Sequence, residues 1–462
     1  MLVNKVLLGL LAIAAAPVRA AEHWALIVVG SRGYDNYRHQ SDACHSYHVV
    51  RRHGIPEENV VLLMYDDVAN HKNNPFPGKL FNKPTGKHSA EYAVDVYDGC
   101  KVDYRGDDVT PQMFIDVLLG NKTATGGRKV LESGPEDRVF VNFIDHGARG
   151  FICFTHGAML KAKELRNALQ TMHADKKYKE LVFYVEACES GSMFSNSWLR
   201  PLDAFVTTAA NGHESSWGTY CPPHDYVNGT ELDTCLGDLY SVNWMQDSDL
   251  TDLSAETVQQ QYDRVKQETT RSHVHEFGTS SIKKEIVGNF QSTYDKQQVD
   301  TNDHSVQADK DSVKDPSAVD AHDIDLVIAF YKYLRAPVGK RHDLAKTLIH
   351  KVKEREHADA IFGAIAHVVS MSNTATDDID GYDADEDCEA KVLAAFNASC
   401  GGFTAYSLKY AATLSSLCAS GLSVDEAIAT VKRACTHVAS PAHKTASEVF
   451  DPAVHDLLHP TH

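Results

Sequence analysis

Two apolar runs, each ending in a side chain able to do chemistry, constrain this chain most. Val139-Phe140-Val141-Asn142-Phe143-Ile144 leads into Asp145-His146-Gly147, and Leu181-Val182-Phe183-Tyr184-Val185 leads into Glu186-Ala187-Cys188-Glu189-Ser190-Gly191. Both runs are β-branched and aromatic, too short for helices, and closed by small or polar turn residues. They read as buried strands. Between them Leu165, Ala168, Leu169 and Met172 make an i, i+3, i+4, i+7 face on a charged segment, which predicts an amphipathic helix. Strand, helix and strand form a βαβ unit whose two strands run parallel. His146 and Cys188 therefore stand at the carboxyl ends of neighbouring strands, where open α/β sheets place their sites. A histidine beside a cysteine there is what thiol nucleophilic catalysis needs.

The rest of the chain continues the pattern. Strands are expected at Trp24–Val29, Asn59–Met64 and Ala204–Thr208, and helices at His39–Arg52, Thr110–Leu119 and Glu256–Thr269. This alternation predicts a parallel sheet with helices on both faces. From Val68 to Tyr104 the Asn, Pro, Gly and Lys content suggests a long surface excursion. From Asp295 to Asp323 no aromatic residue occurs, which reads as a linker or mobile activation segment. Beyond Ile324 the pattern is helical. Leu344, Leu348 and Val352 form one stripe, and Ile361, Ile365 and Val368 another. Ser423-Val424-Asp425-Glu426 is a capping box, and the acidic run Asp377–Glu389 a solvated loop.

Of 462 residues, 43% are hydrophobic and 23% charged, so a packed core is expected, and a net charge of −18 argues against nucleic-acid partners. Residues 1–20 read as a secretory signal, with Lys5, the apolar run Val6–Ala16 and the cleavage site Val18-Arg19-Ala20. No later segment is long enough to span a bilayer, so no membrane anchor is expected. Asn121, Asn228 and Asn397 open glycosylation triplets that fit a secretory route. Ten cysteines in an oxidising route invite pairing. Cys221 and Cys235 are the easiest pair to propose. Cys388, Cys400, Cys418 and Cys435 would make two crosslinks in the helical part. If Cys188 is a catalytic thiol, at least one further early cysteine stays unpaired or pairs elsewhere.

With these segments in place, the chain resembles the legumain family of asparaginyl endopeptidases. The match is carried by His146-Gly147 and Glu186-Ala187-Cys188-Glu189-Ser190-Gly191-Ser192, with Asn36-Tyr37-Arg38-His39-Gln40 and Tyr65-Asp66-Asp67. Thr207-Thr208-Ala209-Ala210-Asn211, Glu214-Ser215-Ser216, Leu236-Gly237-Asp238 and Tyr240-Ser241-Val242-Asn243-Trp244 complete it. The resemblance is dense from His23 to Phe290 and looser beyond. It implies an α/β, caspase-like, mostly parallel sheet flanked by helices, plus a C-terminal all-α prodomain. The implied division is a catalytic domain over 21–290, a linker or activation segment over 291–324 and a helical prodomain over 325–462.

Resemblance further implies Cys188 as nucleophile, His146 as general base and acid, Asn36 as its orienter, and backbone N–H groups of Gly147 and Cys188 as oxyanion donors. The pocket for the residue before the cut would comprise Arg38, His39, Glu186, Ser215 and Asp238. Arginine can satisfy the oxygen of an asparagine side chain and carboxylates can receive its amide protons, while aspartate would fit only when protonated. The implied protein is a secreted, lysosomal or vacuolar zymogen whose prodomain inhibits it. Its substrates would be proteins or peptides with Asn or Asp at the cut, and no metal or cofactor is expected. A peptide ligase on the same site and an inactive binding module are the alternatives. Two departures stand out. The loop between Cys221 and Cys235 is longer than in animal members, and Tyr333-Leu334-Arg335-Ala336-Pro337 lies where those carry a self-cleaved asparagine. Processing would then use Asn289, Asn302, Asp323 or Asp325 instead.

Overall fold

The computed structural model describes residues 21–87, 92–292, 317–371 and 386–437. Its centre is a six-stranded sheet. In spatial order the strands are His275–Gly278, Ala204–Thr208, Glu180–Glu186, Arg138–Ile144, His23–Val29 and Val60–Leu63. All neighbours pair in parallel except His275–Gly278, an antiparallel edge. Strands covered on both faces read as unbroken apolar runs, and every residue of His23–Val29 is buried.

Helices Tyr37–Arg52, Leu239–Leu250 and Val258–Glu268 pack on one face, and Pro111–Leu118 and Ala162–Ala174 on the other. Two core layers result. Phe140, Tyr184 and Trp244 meet edge-on in the first, while Phe114, Phe143 and Phe154 gather in the second. The expected helix face Leu165, Ala168, Leu169 and Met172 is the buried face of Ala162–Ala174. Thr110 caps its helix by accepting the Met113 N–H at 3.1 Å, with Pro111 in the first turn.

Two expectations need correction. The stretch from Val68 to Tyr104 is not merely a surface excursion. Val68, Ala69, Leu80, Phe81, Val96, Val102 and Tyr104 are buried, and a Cys44–Cys100 disulfide ties the stretch to the first helix. Its apolar residues pack without period, spaced by Pro and Gly turns, so no pattern announces them. The segment read as a linker up to Asp323 is structured at its end. Val319–Asp320 pairs antiparallel with Trp217–Thr219, which pairs in turn with Gly237–Asp238. Its residues 293–316 lie outside the described ones. So do most of the acidic run, whose end enters helix Glu386–Cys400, and residues 1–20.

The helical part comprises Ile324–Arg335, Val338–Met371, Glu386–Cys400, Ala411–Ala419 and Val424–His437. The Cys388–Cys418 and Cys400–Cys435 disulfides staple it, and the Ser423–Glu426 capping box forms as expected. Among the described residues no helix is long and apolar enough to cross a membrane. Ile324 and Ile328 pack on Cys221 and Cys235, Leu408 and Ala411 on Ala148, and Arg335 adds a polar contact with the sheet domain. Its guanidinium grips both oxygens of fully buried Asp225, at 2.7 and 3.0 Å, and Asp233 at 2.7 Å. Both aspartates lie in the loop closed by the Cys221–Cys235 disulfide.

A buried pair that loses one partner strands the other charge. Arg335→Gln is therefore expected to destabilise docking by about 3 kcal/mol. In urea the helical part of this variant should separate before the sheet domain unfolds. A single transition at the native midpoint would show that the clamp carries no docking energy.

Candidate active site

The strands Arg138–Ile144 and Glu180–Glu186 pair in register, Ile144 opposite Glu186. The chain leaving each strand therefore emerges side by side, carrying His146 and Cys188. The contact is close: a Cβ at Gly147 would stand 2.6 Å from the Cys188 carbonyl oxygen and 3.0 Å from Ala187 Cβ. Only glycine lets the histidine turn lie against the cysteine turn, which is what its proposed use as a backbone donor requires.

His146 Nε2 lies 2.8 Å from Asn36 Oδ1, and Asn36 Nδ2 donates to the Arg32 carbonyl at 3.0 Å. The amide is thereby oriented with its oxygen toward the ring. Nε2 then carries the proton, and Nδ1 is the basic nitrogen. Cys188 Sγ accepts the Ser216 N–H at 3.4 Å and lies 3.6 Å from Ser216 Oγ. Ser216 belongs to the same tripeptide as Ser215, yet its contact with the thiol was not anticipated.

Behind this pair is a buried electrostatic cluster. Arg38, from the first turn of helix Tyr37–Arg52, donates Nε to Asp238 Oδ1 at 2.7 Å. His39 Nδ1 meets Ser31 Oγ at 2.6 Å, and its Nε2 is 3.6 Å from Asp238 Oδ2. Its ring also packs edge-on against His146. Glu186 Oε2 accepts the Ser241 N–H and hydroxyl at 3.1 and 3.0 Å, satisfying an open N–H in the first turn of helix Leu239–Leu250. Two acceptors here, Glu186 Oε1 and Asp238 Oδ2, are buried without a hydrogen-bond partner. The structure thus gathers Arg38, His39, Glu186 and Asp238 into one cluster.

Ser215 Oγ instead meets His322 Nδ1 at 2.9 Å. His322 belongs to a strap, residues 319–323, that sequence reasoning did not place. Val319 pairs with Gly218, Asp320 with Trp217, and the Ala321 N–H donates to the Ser216 carbonyl at 3.0 Å. Polar atoms of Cys188, Glu189 and His322 lie within 4.8 Å of one another. Gly218 separates Asp238 on one side from Val319 on the other. Side chains two residues apart on a strand share a face, so Ala321 faces the same way as Asp238. A Cβ at Gly218 would stand 2.6 Å from Ile324 Cδ1 and 3.2 Å from Arg38 Cδ, so Ile324 packs against Gly218 beside Arg38.

Under the strap the pair is electrically silent. Burial, then the charges of Glu189 and Asp320, pushes the Cys188 thiol well up, outweighing the Ser216 hydrogen bonds. Burial, then Arg38 and His322, pushes the His146 imidazole well down. Both groups are therefore neutral in the covered state. Cys153, the other free cysteine among the described residues, is also pushed up by burial. Farther along the same helix as His39, His45 bonds Asn82 and Asp249, and His48 the Val96 carbonyl.

Residues 23–293 match the model of the peptidase C13 family, and residues 346–435 match that of the legumain prodomain. A vacuolar-processing enzyme of Citrus sinensis is 37% identical over 434 residues, 90% of this chain and 85% of that protein. The delta-isozyme of vacuolar-processing enzyme from Arabidopsis thaliana is 36% identical over 432 residues, 89% and 90% of the two chains. Legumain of Canavalia ensiformis is 36% identical over 431 residues, 89% and 88%.

A neutral, covered thiol reacts slowly with an alkylating agent. Iodoacetamide at neutral pH should label Cys188 in the full chain at least about tenfold more slowly than after the strap is released. Peptide mapping separates it from Cys153. Equal rates in the two states would contradict the covered, neutral thiol.

Proposed function

The chain belongs to the peptidase C13 family and is a cysteine endopeptidase, and from that premise we propose that it cuts after asparagine and, in acid, after aspartate. One observation carries the specificity. Glu186 Oε1 and Asp238 Oδ2 are buried acceptors without partners, beside the Arg38 guanidinium. A carboxamide presents two protons and one oxygen, matching two acceptors and a donor. A buried polar pocket left unpaired by an apolar side chain discriminates strongly against it. An ionised aspartate would bring another anion to carboxylates, so only its protonated form fits.

The chemistry follows from the pair. His146 Nδ1 takes the Cys188 proton, and the thiolate attacks the carbonyl carbon of the recognised residue. Backbone N–H groups of Gly147 and Cys188 receive the oxyanion, and His146 returns the proton to the leaving amine. Water then hydrolyses the thioester, again activated by His146. Asn36 keeps the proton on Nε2 throughout. An amine in place of water would give ligation.

Residues 21–290 form the catalytic unit in this reading, 291–324 the activation segment and 325–462 the helical inhibitor. The strap is an added strand laid where an extended substrate would pair. Ala321 then occupies the position before the cut, with the Ala321–His322 bond at Cys188. Its methyl group satisfies none of the polar pocket, so the strap inhibits without being cut.

Acid release rests on opposed terms. Burial raises Asp320, but hydrogen bonds and charge from His322, with Ser215, hold it below its ordinary value. Its docking contribution is present above the usual aspartate range and lost as pH falls through the docked value. Glu189, pushed up to about 7 by burial first, works the other way, its contribution being lost as pH rises through about 7. The names of the vacuolar relatives, together with the exposed Asn121, Asn228 and Asn397, support a glycosylated protein of a vacuole or lysosome.

Cleavage of a fluorogenic peptide ending in asparagine should appear only after acid treatment and vanish in Cys188→Ala. Turnover by the mutant would remove Cys188 from the chemistry, and no turnover by processed native protein would favour an inactive binder. Adding an amine nucleophile and analysing products separates hydrolysis from ligation. Ala321→Asn should turn the strap into a substrate, cut between residues 321 and 322. That cut should be absent when Cys188→Ala is also present; an uncut Ala321→Asn strap would refute the register.

A further inference from the structure

We propose that Asp42, a buried carboxyl that touches no substrate, is a positioning residue that holds Asp238 at the pocket wall by accepting its N–H while itself staying protonated. This rests on the asparagine-pocket reading above and goes beyond it in naming what fixes the pocket and limits its pH range.

The geometry is a socket. Asp42 is fully buried on helix Tyr37–Arg52, one turn after Arg38. Its Oδ2 accepts the Asp238 N–H at 3.0 Å, and its Oδ1 accepts Asn82 Nδ2 at 2.6 Å. Asn82 Nδ2 also reaches Ser41 Oγ at 3.2 Å and the Leu236 carbonyl at 3.1 Å, while Ser41 Oγ donates to that carbonyl at 2.5 Å. The main chain Leu236-Gly237-Asp238 is thus gripped by Ser41, Asp42 and Asn82. The fit is close: a Cβ at Gly237 would stand 3.0 Å from Asn82 Nδ2 and 3.1 Å from Asp42 Oδ1.

The charges around Asp42 require the proton. Asp238 and Glu186 face it, with Arg38 the nearby cation and His39 held neutral by burial first and then by Arg38. Asp42 is seated against Asp238 through the Asp238 N–H, and two ionised carboxylates buried that close together would repel. Asp238 has the Arg38 guanidinium at 2.7 Å, so it is the better anion and Asp42 keeps the proton. Burial first, and then the charge of Asp238, pushes Asp42 well up. A group raised in the folded state stabilises below its unfolded pKa, and that stability is lost as pH rises through the folded value. The pocket wall is therefore firmest in acid and loosens toward alkaline pH, when a second anion appears against Asp238.

The test uses full chain activated by acid, comparing native protein with Asp42→Asn and Asp42→Ala on an asparaginyl peptide across the acid to neutral range. Asn keeps an acceptor for the Asp238 N–H and cannot ionise. Its alkaline limb of kcat/KM, each profile normalised to its own maximum, should move up by about half a pH unit or more. Ala removes the grip and should raise KM about tenfold with kcat within about twofold. Superimposable alkaline limbs for native and Asp42→Asn, or an unchanged KM in Asp42→Ala, would overturn the proposal. Thermal unfolding against pH gives a readout independent of substrate, and keeps the test open if Asp42→Ala fails to fold. Native protein should lose stability relative to Asp42→Asn as pH rises, and a constant difference would overturn a protonated Asp42. Native protein that cuts no asparaginyl peptide would sink the specificity reading, while the unfolding comparison still judges Asp42.

Discussion

Everything at the site depends on the in-register parallel pairing of Arg138–Ile144 with Glu180–Glu186. Parallel neighbours finish at the same edge of the sheet, so two turns far apart in sequence leave from adjacent points. The turns touch only because Gly147 has no side chain. A slip of one residue would send each side chain to the opposite face and part the imidazole from the thiol. Two apolar layers, one on each face of the sheet, hold that register.

One guanidinium, that of Arg38, serves several buried acids. Asp42, Asp145, Glu186 and Asp238 are buried around Arg38, and burial is the leading cause that raises each of them. Such a cluster survives by retaining protons and accepting hydrogen bonds, as Glu186 does from Ser241 and Asp238 from Arg38. Asp145 lies 3.5 Å from His39 Nδ1, and a Cβ at Gly30 would collide with its carboxylate. The buried cluster around Arg38 is thus continuous with the wall behind the histidine.

Much of this was legible in the chain. Strand runs with β-branched and aromatic residues are hard to mistake, and the βαβ unit puts His146 and Cys188 together without further knowledge. The meeting of Arg38 and Asp238 rested on family likeness, because two hundred positions separate them. What escaped has physical reasons. The strap Val319–Asp320 is a strand of two residues, too short for alternation to register. Asp42 and Asn82 sit among ordinary polar residues, and only burial makes them unusual. The Cys44–Cys100 bond joins a helix to an aperiodic stretch, which no spacing rule anticipates. Arg335, read as a departure from the animal sequence, makes a docking contact because the loop between Cys221 and Cys235 supplies Asp225 and Asp233.

Strap and helical cover are one covalent body, running from Val319 through Ile324–Arg335, and reach the catalytic unit along the chain only through residues 293–316. While that connection is whole, the inhibitor is held at a fixed effective concentration, and no dilution can free the cysteine. A single cut there changes the order of the equilibrium. Strap and cover become a separate ligand, and the fraction of open enzyme then depends on how much protein shares the volume. A crowded store would remain shut after the cut, and dispersal alone would switch it on.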